Sequence, residues 1–440
     1  MSEQSRTKSE LVDSDVQLKE GGKGWGAWAA NVPGYLWLVL AAAFLGWMFD
    51  AMDLNVLTLV LTPVIRDLLG TSNPASIAHF GGLIVGIKLF AWGLGGALFG
   101  LVTDRMGRVR TMILTILLYS VFTGLSALAT SLPELLIFQA IAGIGIGGEW
   151  AAGAALVAET WPEQLRPRAI QIMQLAFSVG FFAAALDYLL LGPLGWRWVF
   201  VAGAIPAVLT LIPRRFLREP ERWLHVHADP TRNKVTIARI FKPDLRRITI
   251  VGTLIGVAMM VGSWGGLTWI PSWAGQLLSP QQLAHSSTYI SYVLMLLNGG
   301  AILGYITLMW LTEAIGRRWS YFIFCAGGLL SSFCLFATIH SYSSLCLFIP
   351  VYGYFAVGGF GTFAVYLPEL FPTVVRATGQ GFCWNIARFF TGFGPLIGGV
   401  LVVSLGSFPA AIAAVALVFI VGLIAIWFAP ETKGVPLRDY

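Results

Sequence analysis

From residue 35 onward, apolar stretches long enough to cross a bilayer as helices recur along the chain, separated by short polar segments. A bilayer core needs about 20 apolar helical residues. Twelve runs reach that length, at roughly 35–62, 78–102, 111–130, 133–158, 168–192, 197–213, 247–276, 289–311, 319–339, 343–368, 377–402 and 407–428. The first 34 residues are polar and mixed in charge. The first apolar run is too long and too acidic for a cleavable signal, so the N-terminus is expected to stay inside.

Basic residues in the polar segments set the topology. Of the 28 Lys and Arg, all but four fall on the side shared by both termini; Arg66 and Arg197 lie on the other side, and Lys88 and Arg388 lie within spans. Such a bias marks the cytoplasmic face. The segment 214–246, opening RRFLREPERW, is expected to be a cytoplasmic linker between an N-terminal six-helix bundle at 35–213 and a C-terminal one at 247–428. Cytoplasmic tails at 1–34 and 429–440 complete the expected organisation.

Composition supports an integral membrane protein: 57% of residues are hydrophobic, 11% are charged, and the mean hydropathy is +0.75. The net charge of +6 needs no nucleic-acid partner, because the basic residues sit in a few short loops. All four cysteines lie in apolar stretches, without the spacing of a disulfide framework or a metal site. No GxxxxGKS phosphate loop occurs, and the five histidines scatter to loops and span ends, so neither an ATP-driven engine nor enzymatic chemistry is expected. Gly143, Gly145 and Gly148 match GxGxxG, but inside a membrane span. Small residues there let helices approach closely. Neither a cofactor nor a metal is expected.

The chain repeats itself. ETWPEQLR begins at Glu159 and ELFPTVVR at Glu369, so Glu159, Pro162 and Arg166 recur 210 residues later as Glu369, Pro372 and Arg376. DRMGR at Asp104 and EAIGR at Glu313 align Gly107 with Gly316 and Arg108 with Arg317 at an offset of 209. A shared offset near half the chain length predicts an all-α membrane protein of twelve transmembrane helices in two pseudo-symmetric six-helix bundles.

Away from the span ends, charges inside the spans are few: Asp50, Asp53, Lys88, Glu149, Asp187 and Arg388. A carboxylate at a helix centre costs roughly 2.5–3.5 kcal/mol on insertion scales, so each must face a partner or a watery cavity. Asp50 and Asp53 stand i, i+3 on one face of the first span, within FLGWMFDAMDLNVL. With Glu149 they are candidates for a proton-binding cluster; alternatively, one of them pairs with Lys88. Arg388, in FCWNIARFF, offers a planar fork suited to a carboxylate, and no acid lies in the predicted spans of the second half. Its counter-ion must come from the first half or from a substrate, unless it bonds backbone carbonyls. Asn385 and Trp384 stand i, i+3 and i, i+4 from it. Trp47, Trp150, Trp264, Trp269 and Trp384 lie deep in spans, where they line a pocket or pack a core.

GLVTDRMGRVR, from Gly100 to Arg110, resembles the loop between helices 2 and 3 of the major facilitator superfamily. EQLR with Pro162, PELFPTVVRATGQG, REPERWL and PETKGVPL are similar to its metabolite-carrier and sugar-porter branches. GWMFDAMD in helix 1 and GGEW in helix 4 resemble the organic-acid:proton symporters, a group holding sialate, lactate, aromatic-acid and nicotinate carriers. The resemblance implies two bundles that rock about a midplane site bordered by helices 1 and 4. It also implies a cytoplasmic gate of ion pairs: Asp104, Arg105, Arg108, Glu159 and Arg166 in the first half, with Glu313, Arg317, Glu369 and Arg376 in the second. One departure stands out. Gln139, four residues before Gly143, occupies the place of a helix 4 arginine often linked to proton transfer, so coupling is arranged differently here or is absent.

These readings converge on a proton-coupled importer of a small organic anion in the cell inner membrane, acting as a monomer in the lipid bilayer. A small organic acid and protons are its expected partners. A sugar or polyol porter is the main alternative, suggested by PERW and PETKG, although helix 7 (VAMMVGSWGGLTWIPSW) lacks the paired glutamines of such porters. A drug:proton antiporter is less favoured, because the GFGPLIGG run at 392–399 falls in helix 11 rather than helix 5. A non-transporting nutrient sensor has too little chain outside the spans for a signalling domain.

Overall fold

The computed structural model describes residues 32–71, 74–209, 211–227, 237–267, 270–283, 286–392, 404–405 and 408–438. Trp269, most of the N-terminal tail, part of the linker and most of GFGPLIGG lie outside the described residues. The main helices are α1 (Gly34–Leu69), α2 (Pro74–Met106), α3 (Arg108–Ser126), α4 (Leu132–Thr160), α5 (Arg166–Leu191) and α6 (Trp196–Leu209). They continue as α7 (Pro243–Leu267), α8 (Ser286–Ile315), α9 (Arg317–Thr338), α10 (Tyr342–Leu370), α11 (Arg376–Gly392) and α12 (Ala410–Phe428). Among the described residues, all but α6, α9 and α11 are long and apolar enough by themselves to cross a membrane. In lipid the backbone must satisfy its own hydrogen bonds, which is why long apolar runs fold as helices.

The twelve helices pack as two sets of six with matching neighbours. In the first, α1 packs on α5 and α6, α2 on α4, and α3 on α4 and α6; in the second, α7 packs on α11 and α12, α8 on α10, and α9 on α10 and α12. The sets meet along two equivalent seams, α2 against α11 and α8 against α5. Close approach inside each set relies on glycine. A Cβ at Gly147 would overlap the Trp92 carbonyl and the Gly96 nitrogen, and one at Gly300 would overlap the Pro350 carbonyl. The GxGxxG-like run thus serves helix packing.

Several elements depart from the pattern read in the sequence. α10 is interrupted at Gly353–Val357 by a π-helical turn just after Pro350, a residue that removes a backbone donor from the helix. Within the seventh run, helix is described over Pro243–Leu267 and again over Ile270–Gln276. The turns after α2 and α8 are made by Gly107 and Gly316, whose φ angles of 104° and 88° favour glycine.

Candidate functional site

Of the three acids singled out in the first and fourth helices, Asp53 and Glu149 are paired and Asp50 is not. Asp53 accepts from Lys88 Nζ at 2.6 Å and from Thr123 Oγ1 at 2.7 Å. The pairing left open in the sequence is therefore made at Asp53, within the first half. Glu149 accepts from Thr115 Oγ1 at 2.7 Å and pairs with Arg214. Arg214 also donates to the carbonyls of Met112 and Ala42, at 2.5 and 3.2 Å.

Hydropathy assigns Arg214 to the linker, but it ends the short helix Leu211–Arg214 and its side chain is fully buried in the bundle. The space it occupies exists because position 46 is glycine: a Cβ there would collide with both Glu149 and Arg214. Removing one partner of a buried pair strands the other charge. Arg214→Ala is therefore expected to destabilise the protein by about 3–5 kcal/mol, with Arg214→Met/Glu149→Gln recovering most of the loss. Thermal unfolding in detergent checks this; an unchanged midpoint for Arg214→Ala would refute it.

Asp50, one turn beyond Gly46 on α1, is fully buried, and neither carboxylate oxygen has a hydrogen-bond partner among the described residues. It lies within electrostatic reach of Glu149, Arg214, Asp53 and Arg388. Gln139 donates to Ser126 Oγ at 2.8 Å and so engages α3. Asp187 on α5 is also buried, with Oδ2 unpartnered, beside Gly203 of α6.

Across the interface, the Arg388 guanidinium lies 3.6 Å from the centroid of the Trp92 ring and 6.0 Å from that of Trp384. Its Nε has no hydrogen-bond partner among the described residues. Trp384 stacks on Trp150 from the first half at 3.8 Å and on Phe363 at 4.8 Å. Trp47 joins from α1, with ring centroids 6.4 Å from Trp92 and Trp150 and 6.5 Å from Trp384. Trp264 meets this group through Phe177.

The indole nitrogens of Trp47 and Trp384 are buried and unpartnered, whereas that of Trp150 donates to Gln174 at 3.0 Å. Asn385 lies against Gly96 of α2 and donates to the Gly381 carbonyl, leaving its own side-chain oxygen unpartnered. The two halves thus share a cluster of buried rings, with Phe177 and Trp264 partly exposed beside it, and with an acid from one half and a guanidinium from the other at its edge. Trp92, Phe177, Phe363, Gln174 and Arg214 escaped the sequence reading. The signal for Trp92 was its position one turn from Lys88, inside a span.

At the end of the bundle that carries the linker, the predicted gate residues meet. Glu159 accepts from Arg108 Nε and Nη2 at 3.0 and 2.8 Å, and from Arg376 of the second half at 2.6 Å. Asp104 pairs with Arg108 and accepts from the Thr378 backbone and hydroxyl at 2.6 and 2.7 Å, and from the Ala377 nitrogen at 3.2 Å. It thereby caps α11 across the interface. The repeat supplies the counterparts: Arg317 binds Glu369 through Nε and Nη2 at 2.9 and 2.8 Å, and Arg166 lies 3.9 Å from Glu369.

Glu313 departs from the symmetry and pairs with the half-buried Arg168 at 2.5 Å; Arg105 is exposed. Glu219 of the linker accepts from the backbone of Arg108, Val109 and Arg110, and Glu431 does the same for Arg317 and Arg318. Each glutamate caps the helix that follows the glycine turn. Burial pushes the Glu431 carboxyl up, but the backbone N–H groups of Arg317, Lys433, Arg318 and Thr432 outweigh it and hold the group below its ordinary value. The cap's contribution to stability is therefore complete above the unfolded glutamate pKa and is lost only as pH falls through the lower folded one.

Comparison with known proteins agrees with this architecture. Residues 36–279 match the family model described as Major Facilitator Superfamily. A Haemophilus influenzae protein named for metabolite transport is 34% identical over 413 residues, covering 92% of this chain and 98% of its own length. A Bacillus subtilis protein named as a niacin/nicotinamide transporter is 29% identical, over 82% of this chain and 88% of that one. Among solved structures, the proton:xylose symporter XylE superposes with a TM-score of 0.78 at 18% identity, over 92% of this chain and 98% of that one, a likeness of fold. The chain belongs to the Major Facilitator Superfamily, and is a membrane transporter rather than an enzyme.

Proposed function

We propose that the protein imports a small organic anion together with a proton, across the cell inner membrane, by alternating access. The two bundles, 35–213 and 247–428, rock about the aromatic cluster, while the linker at 214–246 and both tails stay in the cytoplasm. The linker-bearing face is then cytoplasmic, and Asp104, Arg105, Arg108, Glu159, Arg166, Glu313, Arg317, Glu369 and Arg376 are its gate.

One observation carries the reading: among the described residues, an acid without a hydrogen-bond partner, Asp50, and a guanidinium without a carboxylate bridge, Arg388, come from opposite halves to the edge of the same buried cluster. An ionised group without a partner in such surroundings is expensive. In the proposed cycle Asp50 takes the proton and Arg388 binds the substrate carboxylate, so both charges are neutralised before the site closes. Trp47, Trp150, Trp264 and Trp384, with Asn385, enclose the rest of the anion. Asp53 and Glu149 take a supporting part: each is paired to a cation, which leaves Asp50 as the acid free to change its proton. The niacin/nicotinamide name of the B. subtilis relative supports a small ring acid as the cargo.

The experiment is uptake into proteoliposomes under an imposed pH gradient, with lactate, benzoate, nicotinate, sialate and glucose. Acid-stimulated uptake of a carboxylate is expected. Uptake of glucose alone would overturn the reading in favour of a sugar porter. Counterflow without any pH dependence would make the protein a facilitator.

A further inference from the structure

Two glutamines tie the halves together next to the aromatic cluster, and the internal repeat relates them. Gln171 on α5 donates from Nε2 to the Gly361 carbonyl on α10 at 2.8 Å, and Gln380 on α11 donates to the Ala151 carbonyl on α4 at 2.5 Å. The glutamines stand 209 residues apart and their acceptors 210, the offsets of the gate motifs. Each half therefore gives one bond and receives one at equivalent points. All four residues are buried, and both glutamine Oε1 atoms lack a partner among the described residues. The bond across the interface is what holds each side-chain amide.

Their neighbours connect the site to the gate. Ala151 follows Trp150, and Gln380 lies one turn before Trp384, so the two ends of one bond sit beside the two stacked indoles. Gln171 lies three residues before Gln174, which holds the Trp150 nitrogen. Toward the linker face, Glu159 is two turns beyond Ala151, and Arg376 is one turn before Gln380. The pair stands between cluster and gate. Once broken, either bond leaves a buried glutamine amide without its partner, a cost that entering water can offset.

We propose that Gln171 and Gln380 are paired positioning residues of the transport cycle: they latch the floor of the site, and they release it when Trp150 and Trp384 part. This rests on the alternating-access reading, but not on the identity of the substrate or the co-transported ion.

The test uses the full chain in lipid nanodiscs, where both faces meet solvent, with the four native cysteines replaced by serine. Ala155→Cys, buried one turn from both Ala151 and Glu159, reports access from the linker side by its rate of maleimide modification. Thr391→Cys, near the far end of α11, reports the opposite side. Gln171→Leu and Gln380→Leu should each raise the Ala155→Cys rate about fivefold, the worth of one buried hydrogen bond, and together more than either alone. Gly361→Ala should act like Gln171→Leu, because its Cβ would meet the Gln171 amide. This variant decides the matter if the leucine variants fail to fold.

An unchanged rate in the double variant or in Gly361→Ala would overturn the proposal. So would equal acceleration at Thr391→Cys, which is the mark of general loosening. No substrate is present, so a failed uptake panel and a failed latch are separate results.

Discussion

Arg388→Ala should lower the initial rate of acid-driven carboxylate uptake roughly a hundred- to a thousand-fold, the effect of removing one member of a desolvated charge pair. In the structure the guanidinium rests on the Trp92 face, and its Nε has no partner among the described residues, so an aromatic ring holds its charge. A ring face is worth about 2 kcal/mol or more to a desolvated cation, less than a bidentate carboxylate would add. A substrate carboxylate is thus the strongest partner Arg388 can gain. Arg388→Lys should recover part of the rate, since an ammonium keeps the charge but loses the planar fork. Initial rates in proteoliposomes, with thermal unfolding as the control for folding, decide this. Uptake that survives Arg388→Ala unchanged would remove Arg388 from the binding site.

Asp50→Asn should abolish accumulation against a gradient while preserving exchange. With one proton per anion, a gradient of one pH unit supports about a tenfold accumulation, and the asparagine variant should fall to equal concentrations on both sides. Counterflow should persist, because an amide resembles the protonated acid in size and lack of charge. The acid stimulation of uptake should flatten with it. Asp53→Asn has a different expected consequence. It strands Lys88, whose side chain bonds only to Asp53 among the described residues, and so acts chiefly on folding. Full accumulation by Asp50→Asn would assign the proton to another group, and Asp187, buried with an unpartnered oxygen, would be the next to examine.

The twelve-helix architecture was legible because each span announces itself through apolar length, and because Glu159, Pro162 and Arg166 recur as Glu369, Pro372 and Arg376. The ion-pair cluster at the linker end was legible for the same reason: apart from Arg105, aligned with Ala314, its residues lie in short repeated motifs whose charges survive at aligned positions. The centre was less so. Asp50 and Asp53 look alike in sequence, three residues apart in one apolar run, and differ only in what other helices bring to them. Lys88 and Thr123 bond to Asp53, and no described group hydrogen-bonds to Asp50.

Arg214 was hidden by a different cause. It begins a basic stretch that hydropathy assigns to water, and only its bonds to the Met112 and Ala42 carbonyls and to Glu149 reveal that its side chain points inward. The pairing of Trp150 with Trp384 depends on the register between halves, which no local pattern encodes. Gln171 and Gln380 do obey the repeat offset, so they were findable, but single glutamines in apolar runs carry too little signal without their acceptors.

The repeat breaks at one pair of positions. Asp104 is buried and holds the start of α11 with three hydrogen bonds, whereas its counterpart Glu313 makes a single half-buried bridge to Arg168. The α2–α11 seam is therefore bolted and the α8–α5 seam merely clasped. In the proposed cycle the lighter side yields first when the linker face parts and the heavier one serves as the hinge, so the molecule opens as a door does rather than as two leaves drawn evenly apart.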